Sequence, residues 1–148
     1  MARVDFYILP ESGGQSRKQF ACALTAKAWK AGHRVCLLAA DRDRATEFDE
    51  LLWTFRDISF VPHALVDSDA VGEVPVLIGW GDPAAIQNGI TDVDVLVNLG
   101  DDMPPAVGKF DRIAEIVGGN ADERQAARQR YRTYRDQGHE LHNHSIDA

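Results

Sequence analysis

The chain has 148 residues, 45% hydrophobic and 26% charged, the size and composition of one soluble globular domain with a sizeable core. A formal net charge of −7 argues against general nucleic-acid binding, which needs a basic footprint. No apolar run approaches the ~18–20 residues that span a bilayer, and Met1 to Pro10 carries Asp5 inside its short apolar run with no signal-peptide pattern, so a cytoplasmic location is expected.

In chain order, Val4 to Leu9 reads as a strand, ended by Pro10 and a turn at Ser12-Gly13-Gly14. Ser16 to Ala31 reads as a helix with Phe20, Leu24, Ala28 and Trp29 near one face and Gly32 as its C-cap. Arg34 to Ala40 is an unalternating apolar run, the pattern of a parallel strand covered on both faces. Asp41 can cap a helix running to about Trp53, with Ala45, Phe48, Leu51 and Leu52 inward. Phe55 to Glu73 reads as a loop, Val74 to Trp80 as a third strand, and Asp82-Pro83 opens a short helix. Asp94 to Leu99 and Arg112 to Val117 are the fourth and fifth strands. Asn120 with Glu123 resembles a capping box for a helix that runs to Gln137 and stops at Gly138. Residues 139–148 are polar and are expected to form a flexible tail. The alternation predicts a single α/β domain: a Rossmann-like open, mostly parallel sheet with helices on both faces.

Such a sheet invites a nucleotide-binding reading, a small α/β enzyme of unassigned reaction. Pro-Glu-Ser-Gly-Gly-Gln follows the first strand where a G-x-G-x-x-G fingerprint would stand, and no P-loop motif occurs. No catalytic residue is assigned: Asp101 and Asp102 read as turn residues, and His33 and His63 as structural histidines. The segment His139-Glu-Leu-His-Asn-His144 has Asn143 where a zinc-protease helix needs its second histidine. No metal or cofactor is expected. Cys22 and Cys36, with no partner at metal spacing, read as buried reduced thiols.

Charge is unevenly distributed. Asp41 to Asp111 holds 4 basic and 15 acidic residues, a net of −11, whereas Arg112 to Arg135 holds 6 basic and 3 acidic, a net of +3. Arg124, Arg128, Arg132 and Arg135 recur at helical spacing, with Tyr131 able to join their stripe and Tyr134 on the neighbouring face. Guanidinium forks bind carboxylates bidentately, so the ridge suits an acidic peptide whose terminal carboxylate meets an arginine while its last side chain enters a pocket beside Tyr131 and Val117. The competing reading is an arginine-rich solvated helix; the shortage of interleaved acids after Glu123 tells against it. A second surface gathers Leu51 to Phe55 with Phe60 to His63, either an interface anchor or core packing.

Several ordered stretches resemble one family. Phe6-Tyr7-Ile8-Leu9, Ala26 to Val35, Phe48 to Trp53, Ser59-Phe60-Val61-Pro62-His63, Ile116-Val117 and Ala127 to Arg135 are similar to the chi subunit of the bacterial DNA polymerase III holoenzyme. The resemblance covers nearly the whole chain in order. It implies a non-catalytic clamp-loader accessory subunit that binds the psi subunit and the acidic C-terminal tail of single-stranded DNA-binding protein, reaching DNA only indirectly and no membrane. By position, it implies a tail site of Val117, Arg124, Arg128, Tyr131 and Arg132, and a psi-facing surface of Trp53, Phe60, Val61 and Pro62.

Overall fold

The computed structural model describes residues 3–10, 17–54, 63–65, 76–80, 94–100, 110–118 and 121–146, the side chains of Trp53 and Thr54 excepted. Its elements are β1 (Arg3–Ile8), α1 (Arg17–Lys30), β2 (Val35–Ala39), α2 (Arg42–Thr54), β3 (His63–Leu65), β4 (Val76–Trp80), β5 (Val95–Asn98), β6 (Arg112–Val117), α3 (Ala121–Asp136) and β7 (Glu140–Ser145). The seven strands form one sheet in the order β3-β4-β2-β5-β6-β1-β7, and every pairing is parallel. Helices α1 and α2 cover one face and α3 the other, the open Rossmann-like arrangement that the strand–helix alternation predicts.

Local chemistry explains the element ends. Asp41 caps α2, its Oδ1 accepting the Arg44 backbone N–H at 2.9 Å. Gly32 and Gly138 close α1 and α3 with φ of +94° and +85°, a left-handed conformation that costs a side chain. After each, the chain bonds back into the last turn: His33 N–H to the Ala28 carbonyl and His139 N–H to the Tyr134 carbonyl, both at 3.1 Å.

The centre of the sheet is apolar on both faces. Along β2, Val35, Leu37 and Ala39 meet α1 and α2, whereas Cys36 and Leu38 join the core under α3. Each fully buried leucine or isoleucine here, such as Leu37, Ile78 or Leu96, contributes about 1.5–3 kcal/mol of transfer free energy. Cys22 and Cys36 are free and buried, as expected, and burial pushes both thiols up to about 12, so they stay protonated.

Three expectations need correction. The inward stripe of α1 is Ala21, Cys22, Thr25 and Ala26; Phe20, Leu24, Ala28 and Trp29 are only half-buried flanks. Small residues let the helix approach the sheet closely, and its apolar residues are spread too evenly round the axis to mark the inner face. The stretch read as a loop from Phe55 contains β3, three residues long and paired with β4. The flexible tail expected over 139–148 is instead largely β7, paired with β1 from Arg3↔Glu140 to Ile8↔Ser145 and extended by the Ile146 N–H on the Ile8 carbonyl at 2.9 Å. The turn at Ser12 to Gly14, the short helix at Asp82-Pro83, the Asp101-Asp102 pair and the Asn120 half of the capping box lie outside the described residues.

Candidate functional site

Helix α3 is amphipathic in an unusual way. Its inner face holds Ala127, Arg130 and Tyr134, all buried, and the two polar groups must therefore find partners. They find one carboxylate. Glu115, in the middle of β6 and fully buried, accepts hydrogen bonds from Arg130 Nε at 3.1 Å, the Tyr134 hydroxyl at 2.7 Å and Asn98 Nδ2 at 3.1 and 3.0 Å. Burial pushes the Glu115 carboxyl up, opposed by the Arg130 charge and the hydrogen bonds of Asn98, Tyr134 and Arg130. The network fixes the rotation of α3 on the sheet and so decides which side chains face outward. The sequence reading missed it, although an acid inside Ile-Ala-Glu-Ile-Val was a signal.

With that rotation set, Arg124, Arg128, Tyr131, Arg132 and Arg135 border a groove of about 470 Å³ between α3 and the outer strands. Its floor is apolar: Phe6 and Ile8 from β1, Val117 from the end of β6, and Ala127. Tyr131 lies against Phe6 with ring centroids 5.3 Å apart, and Tyr134 packs edge-on to the same ring at 6.0 Å. Asn143 of β7 closes the far wall, a residue the sequence reading assigned to a solvated tail.

The arginines differ in their surroundings. Arg124 is tied to the sheet, its Nη2 donating to the Leu9 carbonyl at 3.0 Å. Arg135 meets Asp136 at 3.6 Å in an exposed pair, a contact of small energetic worth. Arg128 and Arg132 are exposed and make no ion pair among the described residues. The groove therefore offers free guanidinium forks above an apolar, aromatic floor. All five residues of the expected tail site, Val117, Arg124, Arg128, Tyr131 and Arg132, line this one groove.

The second expected surface is not brought into view. Trp53 lies in the last turn of α2 but its side chain, with Phe60, Val61 and Pro62, falls outside the described residues. The lone histidines have structural partners: His33 Nδ1 is 2.6 Å from Asp94 Oδ2, and His63 Nε2 is 2.9 Å from the Asp49 carbonyl. In the His139 to His144 segment, His142 pairs with Glu140 and His144 with Asp5. Among the described residues no cluster of three or more His, Cys, Asp or Glu could hold a metal ion, and no helix is long and apolar enough to cross a membrane.

Residues 1–142 match the family described as DNA polymerase III chi subunit, HolC. The chain is 42% identical over 146 residues to the DNA polymerase III subunit chi of Pseudomonas aeruginosa, covering 99% of this chain and 98% of that one. It is 30% identical to the DNA polymerase III subunit chi of Escherichia coli (strain K12) over 145 residues, with 95% and 96% covered, and 30% identical to that of Haemophilus influenzae over 141 residues, with 95% of each.

Proposed function

Because the chain belongs to the DNA polymerase III chi subunit family, we propose that it is a non-catalytic replication adaptor. It links the polymerase III clamp loader, through the psi subunit, to the acidic C-terminal tail of single-stranded DNA-binding protein, and acts in the cytoplasm without touching DNA or membrane itself.

The observation that carries this reading is the groove, in which Arg128 and Arg132, without an ion pair among the described residues, stand over a floor of Val117, Phe6 and Tyr131. A peptide terminus offers both complements at once: a carboxylate for a guanidinium fork, and a last apolar side chain for the floor. Upstream acids then meet the remaining arginines. An enzyme substrate would need a reactive group among the lining residues, and the groove's polar groups are guanidiniums, one phenol and one carboxamide.

The test is a calorimetric titration of the protein with an acidic peptide ending in Pro-Phe, against the same peptide lacking its final Phe. Micromolar binding that disappears with the Phe supports the tail site; equal binding or none defeats it. Arg128→Ala is expected to weaken binding by ~2 kcal/mol, roughly thirtyfold, as for loss of a charge-assisted contact. For the psi-facing surface, Trp53→Ala or Phe60→Ala is expected to impair capture of psi and to leave tail-peptide affinity unchanged. Unchanged psi capture by both variants would remove those residues from the interface.

A further inference from the structure

On the sheet face opposite the groove, residues of α1 and of β1, β5 and β6 line a second cavity of about 250 Å³. Part of its wall is apolar, where Leu24 and Ala28 of α1 face Val95, Val97 and Ala114. Its polar groups are Asp5, Tyr7, Lys27, His33 and Arg112.

The balance of donors and acceptors among those groups is lopsided. The Asp5 carboxylate is fully engaged: Oδ1 accepts from His144 at 2.9 Å and Arg3 at 3.3 Å, and Oδ2 from Arg112 at 3.1 Å. His33 is held by Asp94. The donors are in surplus. Arg112 spends one of its five N–H groups on Asp5. The Lys27 ammonium and the Tyr7 hydroxyl have no hydrogen-bond or ion-pair partner among the described residues. The Tyr7 ring is fixed in place, stacked on His144 at 4.9 Å and tilted against Phe20 at 5.4 Å. Burial raises its phenol above the usual tyrosine value, so the hydroxyl is a donor at neutral pH. A ligand that completes this cavity must bring acceptors, and preferably negative charge, together with an apolar portion.

We propose that the cavity between α1 and strands β1, β5 and β6 binds a small organic carboxylate with an apolar body, its carboxylate on Lys27, Arg112 and the Tyr7 hydroxyl and its body against Leu24, Ala28 and Val97. The site lies across the sheet from the arginine groove and stands independently of it. The same chemistry is carried by a free small acid or by the last residue of a polypeptide.

The test follows backbone amide resonances of the full chain during titration with 3-phenylpropionate, and separately with its neutral isostere 3-phenylpropionamide. The acid is expected to shift Ala28, Val97 and Ala114 saturably, and the amide to bind at least about fivefold more weakly for want of the charge-assisted contacts. Lys27→Met should weaken the acid about threefold, in keeping with an exposed charge, and Tyr7→Phe, which keeps the ring stack, about twofold for one hydrogen bond. Equal affinity for acid and amide, shifts confined to groove residues such as Ala127, or wild-type affinity in both variants would overturn the site. A third arm adds an acidic peptide ending in Phe to the Arg128→Ala chain. Cavity shifts with that peptide identify the ligand as a chain terminus; cavity shifts with the free acid alone identify a free small molecule.

Discussion

Glu115 shows how one buried charge organises a surface it never reaches. Its carboxylate and the Arg130 guanidinium have side chains 0% and 4% exposed, so each depends on the other for solvation. Removing one partner of such a pair strands the other charge, at a cost of about 3–5 kcal/mol. Arg130→Ala is therefore expected to lower the unfolding free energy by about that amount, a substantial part of the roughly 5–15 kcal/mol that holds a domain folded, read as a fall in the urea midpoint. Replacing both partners, Glu115→Leu with Arg130→Met, should recover much of that loss, since an apolar pair of similar volume leaves no charge unpaired. Recovery no better than the single variant would show that the network's shape, including Asn98 and Tyr134, matters more than its charge. Arg128, two positions earlier and exposed, makes the opposite case. Its replacement by Ala should leave the urea midpoint within about 0.5 kcal/mol of the parent while weakening the tail peptide. A matched loss of stability would place its effect in folding.

Among the elements, β7 is the edge strand with the least buried apolar surface to hold it, and a specific side-chain contact crosses its pairing. It is an edge strand of mostly polar residues, Glu-Leu-His-Asn-His-Ser, with no residue fully buried, and it pairs with β1 alone. Across that pairing His144 donates to Asp5 and stacks on Tyr7. Burial alone would raise the Asp5 carboxyl, but hydrogen bonds from His144, Arg112 and Arg3 outweigh it and hold the group below its ordinary value of 3.8. A depressed folded-state value means that its stabilisation is complete above the unfolded value and is lost as pH falls through the folded one. On acidification below about pH 4, the β7 amides should lose hydrogen-exchange protection before those of β2. Asp5→Asn should bring the same release to neutral pH. Protection of β7 that persists as long as that of β2 would rule out Asp5 as its anchor.

The same contrast explains which elements were legible in the sequence. Strands β2 and β4 are continuous apolar runs, and β5 nearly so, because both faces are covered. Strands β1 and β6 each interrupt theirs with one buried acid, Asp5 and Glu115, and Asp41, Gly32 and Gly138 mark helix ends by local chemistry. Strand β3 is too short to show a period, and β7 carries polar residues because half of it faces water. For the groove, the arginine spacing on α3 was readable since a helix fixes it locally. Asn143 and the Glu115–Arg130 pair were not, because each depends on a contact between distant parts of the chain.

At the scale of the whole molecule, the charge map sets the kind of partner that can approach. A chain of net charge −7 with +3 concentrated between Arg112 and Arg135 is expected to repel a polyanion over most of its surface and, on the proposed reading, to draw a short acidic peptide to one ridge. Exposed charges are screened beyond about 8–10 Å at 0.1–0.15 M salt, so the attraction acts within the groove and its rim. Two components of tail binding should then separate with ionic strength. Raising salt from about 0.05 M to 0.5 M should weaken the full peptide by roughly tenfold, from the arginine–carboxylate contacts. The loss caused by deleting the terminal Phe should keep its size, because apolar contact with Phe6, Val117 and Tyr131 is insensitive to screening at these concentrations. Bare single-stranded DNA gives the control. A protein that used the ridge as a phosphate-binding strip would show affinity falling linearly on a log–log salt plot with a slope near −0.7 for each phosphate neutralised. No measurable DNA binding at about 0.15 M salt, where the peptide still binds, is expected from the net charge. DNA binding with that slope, and insensitivity to the terminal Phe, would turn the ridge from a peptide reader into a nucleic-acid contact.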